Sequence, residues 1–281
     1  MLRTTSGTRV LDGRDLDEVL ALLDRDPVAD VFVASRIEAA GLAPSRLGAE
    51  LWGYGDRGRL EAVCYSGANL VPVQAGPEAV RAFADRARRQ GRRCSSIVGA
   101  SDAVQPLWRA LEPSWGRARE VRARQPLMAL SGPPAVAADL GVRRVRPDEL
   151  DVLLPACIAM FTEEIGISPT LGDGGALYRA RVQELVAQGR AYARIERGRV
   201  QFKAEIGAAT RSVCQVQGVW VAPELRGRGL SVSGTAAVVE LAQRDVAPVV
   251  SLYVNDYNEP ARRSYLRVGF TEVGTFTSVL F

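Results

Sequence analysis

Apolar positions recur along this chain with two periods, one of two residues and one close to 3.6, and the switches between them mark out its elements. In the first part the pattern predicts strands over 9–11, 50–54, 60–66, 70–73 and 96–98, and helices over 16–23, 31–40, 78–90 and 104–111. The run 78–90 is amphipathic and closes on Gly91, which reads as a C-cap glycine. Residues 131–138 are rich in proline and small side chains and read as a linker. The expected domains are therefore 1–131 and 139–281. In the second, strands are predicted over 141–145, 192–197, 200–206 and 213–221, with helices over 148–163 and 177–188 flanking a Gly-rich loop, 166–175. A helix over 232–244, a strand over 251–254, a helix between Asn258 and Gly269 and an apolar run, 276–281, complete the chain. Similar element orders in the two halves predict an α+β fold of mixed helix and strand, built as a repeat.

The most informative stretch follows the strand at 213–221. It turns at Pro223 and enters Arg226-Gly227-Arg228-Gly229-Leu230-Ser231, which opens the next helix. Backbone N–H groups at a helix start are unpaired and carry the positive end of the helix dipole, so this order of strand, Gly-spaced loop and helix suits a phosphate. Arg88-Arg89-Gln90-Gly91 has the same Arg-x-x-Gly spacing, but it ends a helix and offers no such amides. One strand further on, Asn258 is a good N-cap, Pro260 lies in the first turn and Gly269 suits the C-cap. Asn258, Ala261 and Tyr265 are spaced i, i+3, i+7, so they share one helix face, with a small residue between two polar tips.

Together and in this order, the two blocks resemble the acetyl-coenzyme A binding core of the GNAT N-acetyltransferase superfamily. The family loop runs Gln or Arg, two residues, Gly, one residue, then Gly or Ala; Arg226 and Gly229 match it, and Ser231 stands in the last position. The later family pattern matches Asn258, Ala261, Tyr265, Gly269 and Phe270. The segment Trp115 to Met128 is similar to two-domain proteins of high-GC bacteria in which an uncharacterised domain precedes a GNAT domain. The resemblance implies a GNAT fold in the C-terminal half. Between Val73 and the helix at 78–90 there is only Gln74-Ala75-Gly76-Pro77, so the first half is expected to be a degenerate GNAT-like domain without a cradle.

The resemblance also assigns roles. The backbone around Val219, Trp220 and Val221 would bind the pantetheine arm of acetyl-coenzyme A, Arg226 to Ser231 its pyrophosphate, and Asn258 would touch it from the helix. Tyr265 matches the tyrosine that serves as general acid for the departing thiolate, and a phenol is protonated at neutral pH. Many relatives carry a basic Glu where this chain has Gln215, which cannot take a proton. Glu205, Glu163 and Glu164 are the remaining carboxylates, although Gln201, Lys203 and Glu205 share one strand face, so an ion pair with Lys203 is the alternative for Glu205. The carboxylate of Phe281 is a further anion to consider. The expected activity is acetyl transfer to a small-molecule or peptide amine. Its rivals are a mycothiol-synthase-like enzyme acting on a small cysteinyl glycoside, and a sensor that binds acyl-coenzyme A without turnover.

Composition narrows the chemistry further. The chain has no histidine, which removes His-based triads, His metal ligands and a His base together. Lys203 is the only lysine among 36 basic residues, a bias that GC-rich codon usage explains. A net charge of +4 with both signs interspersed gives no ground for a nucleic-acid partner. Cys64, Cys94, Cys157 and Cys214 lack metal-site spacing and are expected to be reduced, mostly buried thiols, with no metal. No apolar run is long enough to span a bilayer, and Met1 to Arg9 lacks a signal-peptide core, so cytoplasmic residence without membrane contact is expected.

Overall fold

The computed structural model describes residues 7–171 and 174–281. Met1 to Ser6, and Gly172 and Asp173 of the predicted Gly-rich loop, lie outside the described residues. Along the chain run β1 (Arg9–Val10), α1 (Leu16–Leu23), α2 (Val31–Ala40), α3 (Pro44–Leu47), β2 (Glu50–Asp56), β3 (Arg59–Ser66), β4 (Asn69–Val73), α4 (Pro77–Gln90), β5 (Ser96–Ala100), α5 (Ser101–Trp115) and β6 (Glu120–Leu130). They are followed by β7 (Val142–Arg144), α6 (Leu150–Ile165), α7 (Ala176–Ala187), β8 (Ala191–Glu196), β9 (Arg199–Ala209), β10 (Val213–Val221), α8 (Leu230–Asp245), β11 (Val249–Tyr253), α9 (Glu259–Val268) and β12 (Thr271–Leu280). Two units emerge. The first holds the chain up to Leu127 with Tyr253–Asp256 and Glu272–Phe281, and the second holds Met128–Leu252 and Tyr257–Thr271.

In the first unit β1, β2, β3 and β4 pair antiparallel in succession and β4 pairs parallel with β5. The chain's last strand, β12, lies antiparallel beside β5, from Phe276 opposite Ala100 to Leu280 opposite Ser96. Side chains alternate across this sheet, as strand geometry requires. Leu51 and Val63 join Val19, Leu22 and Ile37 of α1 and α2 on one face, whereas Trp52 and Cys64 join Phe83 of α4 and Leu107 of α5 on the other. Phe281 also stays within this unit, its ring edge-on to Trp108 and Trp115 and beneath the Arg92 guanidinium.

Local sequence explains most boundaries. Helix α4 begins with Pro77 in the first turn, where a missing N–H costs little, and buries Ala79, Val80, Phe83, Ala84 and Ala87 along one stripe. Two departures from the sequence pattern have a tertiary cause. Helix α5 is longer than the expected 104–111 and continues through Pro106 and Pro113, because Ala103, Val104, Leu107, Trp108 and Leu111 are all buried. Strand β6 starts in the charged stretch Glu120 to Arg124, where apolar alternation is poor; Arg122 is nevertheless buried and bonded to Glu120 at 2.8 Å.

The second unit repeats this plan. Strands β7, β8, β9 and β10 pair antiparallel in succession and β10 pairs parallel with β11, with two helices after β7 and one between β10 and β11. Leu153, Ala156 and Cys157 of α6 and Val182 and Val186 of α7 bury one face of this sheet with Ala191, Ala193 and Val200. The fold is thus mixed helix and strand, with the same order of elements in both units apart from the additional short helix α3 in the first.

Candidate active site

Strand β10 departs from its neighbours on both sides, and this creates the site. Its parallel pairs with β11 run from Val213 opposite Val249 to Gln215 opposite Ser251. On the other side Gln217 faces Glu205 but Trp220 faces Lys203, so β10 carries one extra residue, a β-bulge at Gly218 and Val219. Gly218 has φ of +59°, the left-handed region, and a side chain there would meet Met160 Cε at 3.0 Å and Lys203 Nζ at 3.1 Å. Past the bulge, Val219, Trp220 and Val221 line a cleft of about 600 Å³.

One end of this cleft is the predicted loop. A short turn at Pro223–Leu225 leads to Arg226, and Gly229, with φ of +84°, is the N-cap of α8. Among the described residues, the backbone N–H groups from Gly227 to Ser231 donate no hydrogen bond, as expected of donors at an open helix start. Arg226 is held at both ends: its Nε donates to the Val221 carbonyl at 3.0 Å and its Nη2 to Glu163 Oε2 at 2.7 Å. The loop backbone and the face of α9 line the same cleft, and Asn258, Ala261 and Tyr265 all reach it. Asn258 also caps α9, its Oδ1 accepting from the Ala261 N–H at 3.2 Å.

Tyr265 lines the cleft although only 7% of it is exposed, and its ring packs edge-on to Phe270. Burial raises its phenol well above the ordinary tyrosine value, and the negative charge of Glu164 adds to this. Tyr265 therefore carries its proton at neutral pH. Glu164 itself is exposed near the end of α6.

Glu205 occupies a different setting. It is buried and in contact with Lys203, the only lysine and completely buried, while Cys157 Sγ donates to its Oε1 at 3.5 Å. Burial alone would lower the Lys203 ammonium, but the Glu205 carboxylate outweighs it and holds the group above its usual value. Burial pushes the Cys157 thiol up to about 12, so it remains a thiol. Glu205 is not among the lining residues of the cleft, and neither is Gln215, whose buried Nε2 has no hydrogen-bond partner among the described residues. Glu163 does line it, bonded to Trp220 Nε1 at 3.2 Å as well as to Arg226. No local sequence signal separates Glu163 from Glu164; only the direction in which α6 ends does so.

The equivalent connection in the first unit, from β4 to α4, is Gln74-Ala75-Gly76. There Gln74 has φ of +52° and its Nε2 donates to the buried Asp30 at 2.8 Å, so the chain turns directly into α4 without a cradle. All four cysteines are free and buried. Among the described residues no cluster of three or more His, Cys, Asp or Glu side chains is placed to hold a metal, and no helix is long and apolar enough to cross a membrane.

Residues 173–270 match the model of the acetyltransferase (GNAT) family. The chain carries a GNAT acetyltransferase domain. Residues 49–153 match a domain of unknown function (DUF4081), so the two matched domains stand in tandem along the chain. Solved structures agree along nearly the whole chain. An acetyltransferase of the GNAT family from Colwellia psychrerythraea is 13% identical, with 98% of this chain and 99% of that one covered and a TM-score of 0.58. A Drosophila protein is 15% identical, covers 98% of both chains and gives a TM-score of 0.66. A tandem GNAT protein from the clavulanic acid biosynthesis pathway is 17% identical, with 97% and 98% covered and a TM-score of 0.55. At these identities the likeness concerns the fold. No curated protein matches the chain.

Proposed function

We propose that the second unit transfers an acetyl group from acetyl-coenzyme A to the amine of a small molecule or peptide, with Tyr265 as general acid. The observation that carries this reading is the convergence on one cleft of unpaired helix-start amides, a bulged strand and a buried, protonated phenol. The fit to a nucleotide thioester is good: the amides of Gly227 to Ser231 and the dipole of α8 suit a pyrophosphate, and a cleft of about 600 Å³ has room for an extended arm. When bound, acetyl-coenzyme A supplies an acyl carbon activated by its bond to sulfur.

The chain's own groups do the rest. The backbone of Val219 to Val221, which lines the cleft, orients the arm beside β10, and the Asn258 amide contacts it from α9. Tyr265 Oη holds the proton that the leaving sulfur requires. Glu164 stands near Tyr265, and Glu205 keeps Lys203 fixed beneath the bulge. A second reading, a sensor that binds without turnover, is favoured by Gln215 at the position where many relatives have a basic Glu.

Calorimetry on the full chain tests the proposal. One equivalent of acetyl-coenzyme A is expected to bind, because the first unit lacks the cradle, and Gly229→Glu is expected to weaken binding more than about tenfold. Unchanged affinity in a folded variant sinks the assignment of the loop. Binding without thiol release for any primary amine favours the sensor.

A further inference from the structure

Glu163 is the one carboxylate among the residues described as lining the cleft. It belongs to the last turn of α6, yet both its oxygens are held from the cleft wall: Oε1 by Trp220 Nε1 at 3.2 Å and Oε2 by Arg226 Nη2 at 2.7 Å. The carboxylate thus sits on the first residue of the phosphate-binding loop and on the strand that would flank the acyl group. The three alternatives are worse placed. Glu205 is sealed against Lys203, Gln215 has no acid–base chemistry, and Glu164 does not line the cleft.

From this geometry we infer that Glu163 is the proton-accepting carboxylate of the cleft, and that it stays docked on Arg226 until a phosphate takes over that guanidinium. The inference rests on the acyl-transfer reading above. Both partners of the ion pair are about half exposed, 48% for Arg226 and 46% for Glu163, so the pair is weak and exchangeable. A phosphate offers Arg226 more negative charge and more acceptor oxygens than one carboxylate. The exchange releases Oε2, while the bond from Trp220 Nε1 keeps the carboxylate at the cleft wall.

In the transfer, the acceptor's ammonium gives one proton to Glu163 and becomes a nucleophilic amine. The N–C bond forms as the C–S bond breaks, and Tyr265 Oη protonates the sulfur. The second proton leaving the nitrogen restores the phenol, and Glu163 releases its proton to water. Net, an ammonium and a thioester become an amide, a thiol and one proton.

The full chain is compared with Glu163→Gln, an isosteric change at an exposed position, in the presence of acetyl-coenzyme A. The variant is expected to bind acetyl-coenzyme A about threefold more tightly, because the competitor for Arg226 is gone, and the gain is expected to vanish in an Arg226→Gln background. With the best acceptor from a set of primary amines, its thiol release at saturating acetyl-coenzyme A is expected to fall at least tenfold. A side chain with only a structural role would not tighten binding while slowing turnover. Wild-type affinity or wild-type turnover in Glu163→Gln overturns the inference and leaves the acyl-transfer reading standing. A wild-type chain that neither binds acetyl-coenzyme A nor releases thiol overturns both.

Discussion

Gly218 stands directly over Lys203, such that a Cβ on the glycine would lie 3.1 Å from the lysine Nζ. The bulge that opens β10 and the buried ion pair beneath it are therefore one arrangement. The missing side chain leaves room for a charged group that must remain fully buried, and Glu205 and Cys157 supply its partners. This places the residue before Val219 in a conformation that few side chains tolerate.

Gly218→Ala is expected to destabilise the chain by about 1–3 kcal/mol, combining the cost of positive φ with displacement of Met160 or Lys203. It should also weaken binding of acetyl-coenzyme A, since the strand that lines the cleft must shift. Urea unfolding and calorimetry measure the two effects. An unchanged unfolding midpoint would show that the bulge relaxes at no cost.

Tyr265→Phe removes the acidic proton but keeps the ring that packs on Phe270. Turnover is expected to fall about a hundredfold with little change in affinity for acetyl-coenzyme A, as befits a group needed only when the thiolate leaves. A thiol-release assay set beside calorimetry separates the two. Equal turnover would transfer the acid role to water.

Asp30 provides a pH test in the first unit. Burial pushes its carboxyl up to about 7 from 3.8, against the hydrogen bond from Gln74 and with help from the charge of Asp26. Between pH 4 and 7 the folded chain therefore keeps this proton while the unfolded chain has lost it, so the stability from Asp30 falls as pH rises through that window. The loss is up to about 4 kcal/mol and levels off above pH 7. Asp30→Asn keeps an acceptor for Gln74 without the charge. Its advantage over wild type in urea unfolding should grow from pH 4 to pH 7, and a constant difference would contradict the buried setting of Asp30.

Much of the fold was legible because it rests on short-range physics. Helices α1 and α2 and strand β10 run over the residues their apolar periods predict, and Asn258 caps α9 through a bond to a residue three positions away. Caps, turns and periodic burial depend on neighbours within a few positions, and the Gly-spaced loop between a strand and a helix is a local pattern too. By itself, then, the sequence determined the class of fold, the repeated order of elements and the Gly-spaced loop that opens α8. Tertiary structure alone decided which carboxylate enters the cleft, that Lys203 and Glu205 are sealed together, that β10 bulges at Gly218, and that the last strand lies beside β5. The physical reason is distance along the chain. Glu163 meets Arg226 across 63 positions, and adjacent Glu163 and Glu164 differ only in the direction in which the last turn of α6 presents them. No local pattern encodes that direction, because it is set by how α6 packs against the sheet through Leu153, Ala156 and Cys157.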